Sequence, residues 1–200
     1  MNKPRLAVLG SGQGTNFVAL QEAILNGALE AEIVLVASDR ADAPILGRAA
    51  AFGLPTATLP ASPFKTKLSP EGDVALVELL RRHGAEWVIL AGYMRVVKQP
   101  LLGAFPNRII NIHPSLLPDF RGLRAWEQAL AAGVSETGCT VHFVSEQVDG
   151  GATIAQERVP ILPGDTAESL HARIQATEHR LFPAALRQVL TREASPASPD

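Results

Sequence analysis

Apolar residues along this 200-residue chain come in short runs cut off by Gly, Pro and Asp. RLAVLG, EIVLVASD, PTATLP, WVILAG and RIINIH are nearly continuous, the pattern of strands covered on both faces of a parallel sheet. Between them the period changes to that of helices. NFVALQEAILNG stops at Asn26-Gly27; APILGRAAAFG has Pro44 near its first turn and Gly53 just past its end. An exposed loop is predicted over residues 62–72, ahead of the helix DVALVELLRRHG. After the fifth strand come a helix near RAWEQALAAG and two β-rich runs, residues 138–145 and 153–162, which QVDGG joins into an antiparallel hairpin. The last helix is predicted from near Asp165 to Leu190. This order predicts an α/β fold: a mainly parallel mixed sheet with helices on both faces and a C-terminal antiparallel hairpin. The expected organisation is one domain over 1–190 and a disordered tail over 191–200, where Ser, Pro and charged residues replace the apolar stripe.

Composition narrows the setting. With 46% hydrophobic residues and a mean hydropathy of +0.12, the chain has material for a core that needs no metal or disulfide staple. Cys139 is the only cysteine and cannot pair internally; the first apolar run is too short for a leader or a membrane span. A soluble, cytoplasmic protein with no membrane partner is expected. The net charge of -2 lacks the clustered basic footprint of a nucleic-acid binder, and no His or Cys spacing suits zinc, so no metal is expected.

Two stretches carry candidate chemistry. GSGQGTN, residues 10–16, follows the first strand and opens the first helix, where free backbone amides and the helix dipole favour an anion. Thr15 stands where the dinucleotide fingerprint needs its third glycine, and no P-loop lysine follows. A small terminal phosphate, held by the amides of Gly14 to Asn16 and by the Asn16 side chain, fits better. Asp39, ending the second strand as a ribose-reading acid would, keeps a nicotinamide enzyme open as an alternative. The other stretch is NRIINIHPSLLP. Residues two apart in a strand share a face, so Asn111 and His113 project together at the strand's carboxyl end, where α/β sheets bind ligands. An amide donor beside a proton carrier suits acyl transfer. A Ser115, His113, Asp149 hydrolase triad is a further possibility, although its G-x-S-x-G elbow is absent, and a non-catalytic nucleotide-binding module is another. Asp149-Gly150 reads locally as a turn. Cys139 reads as core, His142 as facing solvent or a neighbour, and His83 as a favourable helix-end charge. His171 and His179 receive no role.

NIHPSLLP, together with SGQGTN, LAGYMRVV at 90–97 and VHFVSEQVDGG at 141–151, resembles the phosphoribosylglycinamide formyltransferase family, from Leu6 to about Leu190. The resemblance implies transfer of a formyl group from 10-formyltetrahydrofolate to the amine of glycinamide ribonucleotide in purine biosynthesis, on a Rossmann-like, mainly parallel mixed sheet. It implies no metal and no NAD, and a monomer or homodimer. It also implies roles. Asn111, His113 and Asp149 match the catalytic trio, and an ionised Asp149 would favour the imidazolium of His113. Gly14, Thr15 and Asn16 match the phosphate loop, while Gln175 and Glu178 match substrate contacts on the last helix. Met94, Arg95, Val96 and Val97, with Ser145, Glu146, Gln147, Val148 and Asp149, match folate-binding segments to which Asn111 also belongs. Lys67 falls near a position where relatives often have a folate-contacting arginine. FRGLRAWEQAL departs from the pattern, with Arg124 and Trp126 where relatives often have histidines. Arg121-Gly122 is closer to methionyl-tRNA formyltransferase, which resembles a longer chain with an RNA-contacting domain; a deformylase relative would need an extra N-terminal domain.

Overall fold

The structure, a computed structural model, describes residues 3–194. Strands β1 (Arg5–Leu9), β2 (Glu32–Ser38), β3 (Thr56–Thr58), β4 (Trp87–Leu90) and β5 (Ile109–His113) are parallel, and β6 (Glu136–Phe143) and β7 (Thr153–Pro160) are antiparallel. They form one seven-stranded sheet in the order β3-β2-β1-β4-β5-β6-β7. The helices are α1 (Thr15–Leu25), α2 (Pro44–Ala51), α3 (Pro70–Arg82), α4 (Leu101–Ala104), α5 (Ala125–Ala132) and α6 (Ala167–Ala194).

The continuous apolar strands are explained by cover on both faces. On one, Val8, Ile89, Ile110 and Ile112 pack against Phe17 and Leu20 of α1, Ile45 of α2, and Phe182 and Leu186 of α6. On the other, Leu9, Val88, Leu90 and Ile109 pack against Leu76 and Leu80 of α3 and Leu101 of α4. Each such side chain taken fully out of water stabilises the fold by about 1.5–3 kcal/mol. A third, smaller cluster joins α6 to the hairpin through Cys139, Val159, Leu170 and Ile174. At its margin the rings of Trp126 and His171 stack 3.8 Å apart.

Several elements differ from expectation, the first of them for a clear local reason. The loop over 62–72 is shorter than predicted because α3 starts at Pro70, with Pro in its first turn and the Ser69 hydroxyl accepting from the Gly72 N–H at 3.1 Å. α4 is a single turn, too short to show a period. β6 begins two residues early, at Glu136. α6 runs through Ala194, four residues past the expected domain limit at 190; the rest of the expected tail lies outside the described residues.

Candidate active site

β1 has β2 on one side and β4 on the other, so strand order reverses there. The crevice beyond the carboxyl ends of β1 and β4 is where an open sheet of this kind receives ligands. The turn after β1 is shaped by glycine: Gly14 sits at φ +73, and a side chain there would meet Ile45 Cγ1 at 2.6 Å. α1 starts at Thr15 with no side-chain cap, which leaves its first amides for an anion.

The Asn16 side chain does something other than expected. Its Nδ2 donates to Glu178 Oε2 at 2.8 Å, and its Oδ1 is buried without a hydrogen-bond partner. Asn16 therefore joins α1 to α6 instead of turning to the anion. Glu178 is 5% exposed, and burial pushes its carboxyl up to about 7, against the lowering effect of the Asn16 donor. Together they present two oxygen acceptors with unused capacity, an arrangement suited to hydroxyl donors. Gln175, one turn earlier on α6, is half-buried.

Asn111 and His113 continue the sheet face begun by Ile109. His113 is 5% exposed; its Nε2 lies 2.9 Å from the Phe120 carbonyl and its Nδ1 3.5 Å from Asp149 Oδ2. Both ring nitrogens thus face oxygens, which an imidazolium satisfies with two N–H donors. Asp149 comes from the loop between β6 and β7, in the left-handed region at φ +50. Its Oδ2 also accepts from the Gly122 N–H at 2.9 Å, tying the loop after β5 to the same carboxylate. Gly151 permits the loop to fold this way: a Cβ there would stand 1.8 Å from the Phe143 carbonyl oxygen.

His142, expected to face solvent or a neighbour, is buried inside the site. It stands opposite Asn111 across the antiparallel β5–β6 pair. Its Nδ1 is 2.8 Å from the Phe143 carbonyl, its Nε2 3.1 Å from Asn111 Nδ2 and 3.7 Å from Asp149 Oδ1. Burial lowers its pKa, outweighing the raising influence of the Phe143 carbonyl and Asp149. A neutral His142 that donates from Nδ1 accepts at Nε2, and so aligns the Asn111 amide with one N–H still to give. Only the cross-strand register could have revealed this, and no local pattern encodes it.

The segments matched to folate lie after β4 and after β6. Met94 is 54% and Val148 48% exposed, an apolar pair of side chains at loop positions, while Val97 is buried. Ser145, Glu146, Gln147 and Val148 form the loop that carries Asp149, with Ser145 Oγ donating to the Gln147 carbonyl at 3.2 Å. Val96 is held through its N–H to the Thr66 carbonyl at 2.8 Å. Lys67 is exposed, its Nζ 4.4 Å over the Phe64 ring. The Arg95 side chain turns inward: Nε donates to Asp39 Oδ2 at 2.6 Å, and Nη1 donates to the carbonyls of Phe64 and Lys67.

Two alternatives lose their residues here. Asp39, the candidate ribose reader, is engaged by Arg95 and by the Ser11 hydroxyl at 2.5 Å. Ser115 donates to the Asp119 carbonyl at 2.5 Å, and neither nitrogen of His113 is bonded to it. Among the described residues no group of His, Cys, Asp and Glu could hold a metal ion, and no helix is long and apolar enough to cross a membrane.

Residues 4–186 match the family model described as formyl transferase. The chain is 40% identical over 186 residues to phosphoribosylglycinamide formyltransferase of Bacillus subtilis, covering 93% of this chain and 94% of that protein. It is 45% identical over 188 residues to the trifunctional purine biosynthetic protein adenosine-3 of Gallus gallus, covering 94% of this chain but only 18% of that much longer protein. Its fold superposes with a TM-score of 0.90 on glycinamide ribonucleotide transformylase 1 from Symbiobacterium toebii, at 47% identity over 95% of this chain and 89% of that one.

Proposed function

Because the chain belongs to the formyl transferase family, we infer that it moves the formyl group of 10-formyltetrahydrofolate to the amine of glycinamide ribonucleotide, a step of purine biosynthesis carried out in the cytoplasm. The observation that carries the reading is the meeting of Asn111, His113, His142 and Asp149 within hydrogen-bond or ion-pair distance at the end of β5. The likeness to the Bacillus subtilis enzyme over nearly the full length of both chains supports the choice of substrates.

The chemistry follows from the donors. The substrate amine attacks the formyl carbon, forming a carbon–nitrogen bond and a tetrahedral intermediate with negative oxygen and positive nitrogen. The Asn111 N–H left free by His142 donates to that oxygen, a contribution of about 3–4 kcal/mol when such a donor is deleted, and the positive charge of a protonated His113, whose two N–H groups are held by Phe120 and Asp149, acts on it through space. The attacking nitrogen loses a proton, N10 of the folate gains one, and the bond from carbon to N10 breaks. Asp149 keeps His113 oriented and offsets its charge. On the other side of the crevice, the first amides of α1 at Gly14, Thr15 and Asn16 receive the phosphate, and Glu178 with the Asn16 Oδ1 receives ribose hydroxyls. Gln175 lines the same side of α6. Met94 to Val97 and Ser145 to Asp149 receive the folate, with Lys67 at the rim for its acidic tail.

The test offers purified protein and 10-formyltetrahydrofolate with glycinamide ribonucleotide, initiator methionyl-tRNA or water alone, and follows release of tetrahydrofolate. Turnover is expected only with the ribonucleotide. Comparable release with water alone identifies a deformylase, and release only with the tRNA identifies the other transferase.

A further inference from the structure

Asp39 holds four segments that are far apart in sequence and otherwise irregular. Its side chain is 5% exposed and that of Arg95 14%. Oδ1 accepts from the Ser11 hydroxyl at 2.5 Å, and the same Ser11 oxygen accepts from the Met94 N–H at 2.9 Å. Oδ2 accepts from Arg95 Nε at 2.6 Å, and the rest of that guanidinium bonds the Phe64 and Lys67 carbonyls. The Ser11 N–H adds a bond to the Gly92 carbonyl at 3.0 Å. One carboxylate thereby links the turns after β1, β2 and β4 to the loop between β3 and α3. Arg40, the neighbouring cation, is bonded to Asp42 and does not substitute for Arg95.

A pair this buried is weak evidence for stability, since apolar replacements of such pairs often cost nothing. What it supplies is shape. The loop around Lys67 has no strand or helix of its own, and its carbonyls at 64, 66 and 67 are all taken by the segment at 95 and 96. The planar fork of Arg95 sets that spacing only while the carboxylate fixes its angle.

We propose that Asp39 is a positioning residue for the folate half of the site: through Arg95 and Ser11 its carboxylate fixes the segment from Tyr93 to Val97 and the loop carrying Lys67 in the shape that receives the cofactor. The proposal rests on the formyltransferase reading above. Asp39 touches no reacting atom in this scheme. Its loss moves KM for the folate most and leaves the chemistry in place; the ribonucleotide site, built on the amides at Gly14 to Asn16 and on α6, meets Asp39 only through Ser11, three residues before Gly14.

The test is Asp39→Asn, with Arg95→Ala and the double variant, read by steady-state constants for both substrates, melting temperature and amide hydrogen exchange. For Asp39→Asn the folate KM should rise on the order of 30-fold, the usual cost of truncating one partner of a buried charge pair. The ribonucleotide KM should rise far less and kcat should stay nearly unchanged, and the double variant should exceed Arg95→Ala by no more than the shift that Ser11→Ala gives alone. Exchange at the Met94 and Val96 amides should quicken. Should Asp39→Asn fail to fold, Ser11→Ala, which removes the bond to Asp39 and the acceptor of the Met94 N–H, should give a smaller shift, larger for the folate than for the ribonucleotide. An unchanged folate KM with unchanged exchange overturns the proposal, as does an equal loss for both substrates in step with melting temperature. If the wild-type protein never turns over the folate, the functional reading fails on its own, and the exchange result still decides whether Asp39 holds these loops.

Discussion

The halves of the crevice proposed above for the folate and for the ribonucleotide each bury a carboxylate and treat it in opposite ways. At the folate half, Asp39 has a guanidinium on one oxygen and a hydroxyl on the other. At the ribonucleotide half, Glu178 has one neutral amide donor and is pushed up to about 7 by burial. A satisfied carboxylate organises its surroundings; an undersatisfied one is held ready for donors that arrive with a substrate. Asp149 stands between them, sharing its oxygens among His113, His142 and the Gly122 amide.

That middle position should give the largest effect. Asp149→Asn keeps the shape and removes the charge, and turnover should fall by about 100-fold or more, within the usual range for an acid-base element. Ribonucleotide binding, measured by titration, should hardly change. Near-normal turnover would reduce Asp149 to a turn residue and leave the two halves as the whole site.

Glu178→Gln sharpens the contrast with Asp39. The ribonucleotide KM should rise by roughly 10-fold, as expected for a lost hydrogen bond to a charged acceptor, while the folate KM stays put. The variant should also be more stable than the wild type at pH 8. The sign follows from linkage: with a carboxyl raised from 4.5 to about 7, stability is fully present below the lower value and is lost as pH rises to the upper one. The difference should amount to about 1–3 kcal/mol above pH 7 and vanish below pH 4.5, read by denaturant unfolding across that window. Wild-type affinity for the ribonucleotide should move the other way, tightening from pH 6 to pH 8 as the carboxylate forms. Equal pH dependence in wild type and variant would mean that Glu178 is a buried spacer.

Lys67→Ala carries the smallest expectation. Its ammonium is exposed and rests on Phe64, so the folate KM should shift by only about threefold, in keeping with a screened surface charge worth 1 kcal/mol or less. A shift as large as that expected for Asp39→Asn would move the recognition of the folate tail from the loop's backbone to this one cation.

Which of these residues could be read from sequence follows from how local their pattern is. The strands and four of the long helices announce themselves by period and by Pro and Gly at their ends, and alternation along β5 places Asn111 with His113. Asp149 looks like an ordinary turn acid until the DGG stretch is matched to a family, because its partner lies on another strand. His142 and the Asp39 to Arg95 pair escape for the same reason. Their contacts join positions 31 and 56 residues apart, and register and loop docking are properties of the assembled sheet. A strand-ending acid such as Asp39 is common to ribose readers and to loop anchors alike, so the sequence leaves both readings open.

The Asn16 to Glu178 hydrogen bond closes a separation of 162 residues. On a ribosome, the donor of that bond emerges 162 residues ahead of its acceptor. Every member of the Ser11, Asp39 and Arg95 cluster is available before His113 has been added. The side proposed for the sugar therefore depends on α6 docking against α1, and a slip in α6 would strike that side before it touched the cluster around Asp39.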